Sequence, residues 1–407
     1  MKQIKIVHVA NYDLGLKIHL GNYMQYQREQ GYDVSAITHP GSWLTRDTTI
    51  LDGTFVKIMM FEPRLSPLLD FKTLMRLIYY FRQERFDIVH THTVKPGLLG
   101  RIAAKMVGVP VIAHTIHGFP FWEGMSPIQY RLHVLIEKLG SACCDLILSQ
   151  GKQDIEIGIQ NKIFPPEKVH HLGNGIDLRR FDPSHVSQGK VMSLKNDFGI
   201  LPHQIVIGFV GRWRRQKGIY EFLEAASYLK SKGVKARYLI IGASQAEKSK
   251  AVSPQGLLAK YGLEDETIAL GFRDDIPELL SLMDIVVLPS YREGIPRLLM
   301  ESAALAKPAV ATSVEGNIEV VEDGVSGLLV PVGDSLALAE NILRLIHRPE
   351  YAAEMGRKAR QRALKHFDER FFFLKTDIEY RRLLRNTLGL DTNSFLRPLP
   401  ELQQIEV

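Results

Sequence analysis

Cysteine is nearly missing from this chain of 407 residues: there are 2, and they are the neighbours Cys143 and Cys144. An adjacent pair reads as two small apolar fillers rather than a bridge or a metal site. A disulfide scaffold is therefore excluded and a reducing, cytoplasmic setting expected. Long hydrophobic runs are also lacking. No stretch of about eighteen apolar residues occurs, so no membrane-spanning helix is expected. Nothing near the start combines an apolar run with a small-residue cleavage site, so residues 1–10 are expected to be a first strand and not a leader. No Gly-x-Gly-x-x-Gly follows that strand, which disfavours a dinucleotide-binding dehydrogenase. Zinc-finger spacing, RNP-type aromatics and dense Lys/Arg blocks are absent, which leaves nucleic acid a weak candidate partner. Neither a strand-end Asp-x-Asp nor a His-Glu-x-x-His is found, so neither a metal nor a cofactor is expected.

What is present fits a soluble globular protein. Hydrophobic residues make up 45% and charged residues 24%, as in ordinary globular proteins. At 407 residues the chain exceeds one core, so two domains are expected. The net charge of +6 and pI near 9.1 suit a polyanionic ligand or an anionic membrane surface.

Short apolar, β-branched runs alternate with helical stretches from the first residues onward. Strands are expected at residues 4–10, 32–38, 55–60, 87–91, 109–116, 145–149 and 169–172. A second series is expected at 205–210, 238–241, 268–270, 285–288, 309–311 and 328–330. Helices between them imply parallel sheets covered on both faces. A polar, structure-poor linker is expected at 184–195. This gives a domain of residues 1–187, a second of 188–370, a helix at 371–390 and an extended tail at 391–407.

The richest signal is Pro289-Ser290-Tyr291-Arg292-Glu293-Gly294-Ile295-Pro296, followed by a helical pattern carrying Glu301. Glu293 would sit at the carboxyl tip of strand 285–288, where doubly wound sheets bind ligands. Glu301 would lie about two turns into the helix, whose first N–H groups suit an anion. Two carboxylates flanking a phosphate site fit a sugar nucleotide. Elsewhere Gly211-Arg212 and Lys217-Gly218 follow strand 205–210, and Arg212 offers a fork and Lys217 a point charge to a diphosphate. His117 stands at the tip of strand 109–116, whereas His114 and His90 read as core. His92 reads as core in the same way, although its place near a strand tip leaves it able to line the ligand side.

Glu293 and Glu301, with Lys307-Pro308, Gly316, Glu319 and Asp323-Gly324, resemble the Glu-x7-Glu region of retaining glycosyltransferases of family four. Gly211, Arg212, Lys217 and Gly218 match the family's Gly-Arg-x4-Lys-Gly element. Ala306 departs from it, since the family usually has Gly there. The segment Asn174-Gly175-Ile176-Asp177 through Phe181-Asp182-Pro183 resembles the one closing the family's N-terminal domain. The stretches around His92 and His117 resemble a branch of bacterial capsule and polysaccharide enzymes.

The resemblance implies a GT-B fold: two Rossmann-like domains with a cleft between them, and the last helix crossing back to the first domain. It implies a retaining, metal-independent transferase moving a sugar from a nucleotide sugar, with uridine preferred, to a glycan or lipid-linked saccharide. Catalysis would fall to His117, Glu293, Arg212 and Lys217, and the ribose to Glu301. Further donor contacts would come from Gly15, Gly211, Gly294, Ile295, Pro296, Phe272 and Arg273. Asp13 and His92 would meet the acceptor. Residues 11–17 depart from the family's Gly-Gly loop, and Gly15 is expected to supply the close approach there. Residues 64–85, apolar with Lys72, Arg76 and Arg82, read as a helix covering the sheet, with contact to the inner face of the plasma membrane the sharper alternative. A sugar-nucleotide epimerase and a non-catalytic nucleotide-sugar-binding subunit are the competing readings.

Overall fold

The computed structural model describes residues 3–11, 13–41, 48–51, 53–61, 66–122, 124–243, 254–391 and 396–398. The chain divides into two units, Met1–Gly173 with Phe371–Val407, and Asn174–Arg370.

The first unit holds an eight-stranded sheet in the order β3-β4-β2-β1-β5-β6-β7-β8. Its strands are β1 (Lys5–Val9), β2 (Asp33–Thr38), β3 (Thr48–Leu51), β4 (Thr54–Ile58), β5 (Ile88–His92), β6 (Val111–Ile116), β7 (Leu146–Ser149) and β8 (Val169–His171). All pairs are parallel except β3 with β4, an antiparallel edge that the sequence reading missed. The helices are α1 (Asp13–Gly15), α2 (Gly21–Gln30), α3 (Pro67–Glu84), α4 (Val94–Val107), α5 (Pro127–Ala142) and α6 (Lys152–Gln160).

Side chains alternate across each strand, so β1 sends Val7 and Val9 to one face and Ile6 and His8 to the other. Val7 and Val9 share one apolar core with Leu77 and Phe81 of α3, Ala103 of α4 and Val134 of α5. Ile6 meets Tyr23 and Met24 of α2, with Tyr380 and Leu384 from the far end of the chain.

The second unit holds a six-stranded parallel sheet in the order β11-β10-β9-β12-β13-β14. Its strands are β9 (Ile205–Val210), β10 (Ala236–Ile241), β11 (Thr267–Ala269), β12 (Ile285–Leu288), β13 (Ala309–Thr312) and β14 (Leu328–Val330). Around it run α7 (Gln188–Asp197), α8 (Ile219–Ser231), α9 (Pro254–Tyr261), α10 (Ile276–Leu282), α11 (Arg297–Ala304), α12 (Glu315–Val320), α13 (Ser335–Ile346) and α14 (Pro349–His366). Strands β9 and β12 are buried on both faces, hence their unbroken apolar sequences.

Three expectations about organisation change. The division falls between Gly173 and Asn174, ahead of 187/188. Ile176 donates its N–H to Phe367 O and accepts from Glu369 N, and its side chain joins the second core with Phe181 and Val186. The expected linker 184–195 is largely α7, whose start Ser187 caps by accepting from Lys190 N. Part of the expected tail is anchored, because Leu396 is buried and Arg397 N donates to Gln30 O.

The last helix, α15 (Glu369–Leu388), belongs to the first unit from Phe371 on. Its Asp377 accepts from the Tyr32 hydroxyl and from Arg381, and Phe373 stacks on Tyr23 with ring centroids 5.1 Å apart.

Candidate functional site

In the second sheet the chain leaves β9 toward β10 and β11, then returns to the other side of β9 through β12, β13 and β14. The switch point therefore lies between β9 and β12, and ligands of such sheets bind at its carboxyl edge. Both basic and acidic motifs issue from that edge.

The loop after β9 turns at Gly218, whose φ is +74°. A Cβ there would come 1.9 Å from Pro289 O in the loop after β12, so only glycine fits. Tyr291 N donates to Gln216 O at 3.0 Å, which holds the two loops in register. Across this join Lys217 Nζ lies 2.6 Å from Glu293 Oε1, and Ser290 Oγ donates to the same oxygen at 2.6 Å. Behind them Thr312 Oγ1 donates to Ser290 O, and Asn317 Nδ2 donates to Thr312 O at 2.8 Å. Gly316, at the start of α12, is needed because a Cβ would fall 1.5 Å from Gly294 O. The Glu293–Gly294 backbone is thus braced on two sides.

Ile295 O accepts from Asn174 Nδ2 at 3.3 Å, and Arg297 Nη1 donates to Gly175 O at 3.0 Å. Pro296 precedes α11 as its cap residue. Glu301 sits in the second turn, its side chain 15% exposed, with Arg297 Nε 3.4 Å from Oε1. Burial raises the pKa of Glu301, while Arg297 and Arg180 pull it down. The burial outweighs the two guanidiniums, so the net direction is upward.

Gly211 bonds through its N–H to Ile241 O, and Arg212 beside it is exposed. Phe272 is 44% exposed and lines a cavity of about 670 Å³ together with Arg180, Lys190 and Arg273. Arg273 is held by Asp275 through two hydrogen bonds of 2.8 and 2.6 Å. Arg180 Nη2 donates to Asp274 O across this cavity at 2.8 Å.

In the first sheet the switch point lies between β1 and β5. The segment after β1 is not the open loop expected. Asp13–Gly15 is helical and runs into a π-helical turn, Leu16–Leu20, then α2. Gly15 has φ −64° and ψ −38°, a conformation open to any residue, so its glycine freedom is unused. Asp13 is buried, and a Cβ on Gly41 would sit 2.1 Å from its Oδ1. The carboxylate thus packs inward instead of facing an acceptor. His92 is also buried, in keeping with its reading as core and against its assignment to the acceptor, because its two ring nitrogens bond His8 and His117. Thr93, next to it, holds φ +63°, a strained conformation for a β-branched residue.

His117 is exposed at the tip of β6, with Nε2 bonded to His92 and Nδ1 to Gln150. Desolvation lowers its pKa, and the Gln150 hydrogen bond acts the other way. The residue is exposed although both of its ring nitrogens are hydrogen-bonded within the unit.

The structure therefore brings Lys217, Glu293, Gly294 and Ile295 together at one switch point, with Glu301 on the helix that follows. It adds Asn174, Ser290 and Arg297, which the sequence reading did not assign. Asn174 stood in the segment taken as a domain closure, and Ser290 and Arg297 stood inside the acidic motif itself.

Two family patterns match the chain: "Glycosyltransferase Family 4" over residues 15–180 and "Glycosyl transferases group 1" over residues 193–362. Among similar proteins, the UDP-Gal:alpha-D-GlcNAc-diphosphoundecaprenol alpha-1,3-galactosyltransferase of Escherichia coli is 30% identical over 283 residues, 69% of this chain and 72% of that one. The capsular polysaccharide biosynthesis glycosyltransferase CapM of Staphylococcus aureus is 26% identical over 394 residues, 96% of this chain and 100% of that one. Among solved structures, sucrose-phosphate synthase from Thermosynechococcus elongatus superposes with a TM-score of 0.80 at 20% identity, over 94% of this chain and 100% of that one. That likeness is one of fold.

Proposed function

The chain belongs to glycosyltransferase family 4, and we propose that it moves a sugar from a nucleoside-diphosphate sugar to a lipid-linked saccharide, keeping the donor's anomeric configuration. The observation that carries this reading is the convergence of Lys217 and Glu293 at the β9/β12 switch point, 2.6 Å apart, ahead of Glu301. Lys217 and the exposed Arg212 take the charge that develops on the departing diphosphate. Glu293 grips the transferred sugar and Glu301 accepts from the ribose hydroxyls, with Gly211, Gly294, Ile295 and Pro296 bringing backbone to the donor. Phe272 and Arg273 flank the nucleobase in the neighbouring cavity. A uridine donor and an undecaprenyl-diphosphate-linked acceptor are favoured by the activity for which the Escherichia coli relative is named. His117 meets the donor near the reacting carbon. Two cationic side chains fill the part a divalent ion would play, so transfer proceeds in excess EDTA.

The reaction takes place at the cytoplasmic face of the membrane. Among the described residues no helix is long and apolar enough to cross a bilayer. Yet α3 exposes Leu68, Phe71, Met75 and Tyr79 beside Lys72 and Arg76, while its other side, with Leu77 and Phe81, covers the sheet. On α5 a second stripe, Ile128, Leu132, Leu135 and Leu139, faces outward. Both helices pack against α4, so the stripes share one face of the unit. Apolar side chains edged by cations suit peripheral contact with anionic lipid.

The deciding experiment measures nucleoside-diphosphate release from UDP-sugars with and without a diphosphoundecaprenol-linked saccharide, then reads the product anomer by proton coupling. Acceptor-dependent release with retention is expected. Acceptor-independent epimer formation would replace this reading with the epimerase, and binding without turnover would replace it with the nucleotide-sugar-binding subunit.

A further inference from the structure

Strands β1 and β5 place His8 and His90 side by side in register, and His92 follows on the same face. His8 Nε2 lies 2.7 Å from Gln27 Oε1, and His8 Nδ1 lies 3.1 Å from His92 Nε2. His92 Nδ1 lies 3.1 Å from His117 Nε2, and His117 Nδ1 lies 3.0 Å from Gln150 Oε1. The result is one unbranched line of hydrogen bonds from the buried Gln27 to the exposed tip of β6. His90 stands beside it, with its own nitrogens bonded to Thr115 Oγ1 and the Tyr380 hydroxyl.

Protons must be counted along this line. Four hydrogen bonds need four N–H groups, and three neutral imidazoles supply three. A cation in the interior is disfavoured: burial lowers the pKa of His8 to about 4 and drives that of His92 well below the ordinary imidazole value. The fourth proton must come from an amide, so one glutamine presents NH₂ to its histidine. Gln27 is the one that gains, since its Nε2 is buried without a partner. Turning that amide gives Nε2 a partner and leaves a carbonyl unpaired, which interiors tolerate better than an orphaned N–H. Gln150 then keeps its oxygen toward His117, and every proton in the line points outward.

We propose that Gln27, His8 and His92 act as positioning residues that fix the tautomer of His117, holding it neutral with the proton on Nδ1. His117 then carries its N–H on the nitrogen that bonds Gln150 Oε1 at 3.0 Å, and a phosphate or sugar oxygen can take that donor only by displacing the Gln150 carbonyl, while the nitrogen itself is barred from accepting a proton. The use of that donor in transfer rests on the role given to His117 above; the tautomer does not. His8, His90 and His92 are close enough together to hold a metal ion. An ion there would have to break the His8–His92 bond and displace Thr115 or Tyr380, so the line of hydrogen bonds is the reading the geometry favours.

The test is two-bond proton–nitrogen correlation on the full chain labelled with ¹⁵N-histidine, with His117 assigned by the signal lost in His117→Asn. Near neutral pH His117 is expected to be Nδ1-protonated. In His92→Phe, with the inner donor gone, only the Gln150 carbonyl still holds the proton on Nδ1, and since that amide can turn, the Nε2-protonated form should appear beside it. Gln27→Leu, a gentler change of similar size, should turn the single signature into a mixture. His92→Phe should also cut kcat on the order of tenfold, the loss of about one hydrogen bond's alignment, while nucleotide affinity holds. A wild-type His117 that is cationic or Nε2-protonated overturns the proposal, as does an unchanged His117 signature in a folded variant. Tight binding of one equivalent of Zn²⁺ with loss of these signals overturns it in favour of a metal site. The expected tautomer shifts combined with full activity in His117→Ala would leave the proposal standing and remove His117 from the catalytic set.

Discussion

Lys217 and Glu293 hold each other, Nζ to Oε1 at 2.6 Å, although one is assigned to the diphosphate and the other to the sugar. The pair orients two otherwise mobile side chains before the donor arrives, and both are shielded enough for that to matter, at 27% and 10% side-chain exposure.

The first prediction follows from that pair. Lys217→Met should weaken UDP binding by roughly 1.5–3 kcal/mol, the range for hydrogen bonds to charged groups. Glu293→Gln should leave UDP binding intact or tighter, since Lys217 is released to the diphosphate, yet lower transfer. Calorimetry with UDP checks both. Equal losses in the two variants would sink the division of roles.

The second concerns Glu301. Its pKa is raised chiefly by burial, so it takes up a proton at higher pH than a surface glutamate. UDP affinity should therefore fall as pH drops through a window that opens above the ordinary carboxylate range. UDP titrates too, so the readout is the difference between wild type and Glu301→Gln, which lacks that component. The same sign governs stability. A raised folded pKa favours the folded form below the unfolded value, and that advantage is gone once pH rises past the folded value. Glu301→Gln should thus melt no lower than wild type at neutral pH.

A third prediction uses Ala306, which holds φ +57° where the family usually has glycine. The left-handed conformation costs an L-residue roughly 1–2 kcal/mol, and glycine's looser unfolded state returns about 0.4–1 kcal/mol of that. Ala306→Gly should raise the melting temperature, by about 0.5–1 kcal/mol of stability. Gly356→Ala should lower it more, because a Cβ there would lie 2.1 Å from Ala306 O. A destabilised Ala306→Gly would show that the strain is relieved elsewhere.

The fourth tests the lipid face. Leu132→Asp with Leu135→Asp should abolish binding to vesicles containing anionic lipid, and the wild-type binding should weaken with salt. Activity on a water-soluble acceptor should be unchanged. Vesicle flotation that is indifferent to this double change would remove α5 from the surface.

Strand placement was legible because buried parallel strands are short apolar runs with little else to mimic them; β9 and β12 stand where residues 205–210 and 285–288 placed them. The antiparallel β3 escaped, since the pairing of an edge strand depends on its partner and not on its own composition. Around the site, Glu293 and Glu301 were legible from spacing, while their supports were not. Asn174 reaches Ile295 from 121 positions away, and nothing in a linear pattern reports such a bond. Gly15 and Asp13 were misplaced for a related reason: whether a short polar segment is loop or helix was decided by packing, here burial of Asp13 beneath Gly41. Gln27 carries no signal in the linear sequence, and its role appears only when β1 sets His8 against it.

The return of Phe371–Val407 to the first unit makes the second unit an uninterrupted insert within the first. The two cut ends of the first unit meet, since a Cβ on Gly173 would fall 2.6 Å from the Phe372 ring. Those of the second meet as well, where Ile176 bridges Asp368. Genetically, the second unit is a cassette: it could be looped out by a short splice from 173 to 371, or exchanged for another, without breaking either sheet's chain order. Exchange of that one continuous segment would leave every strand of the first sheet in place.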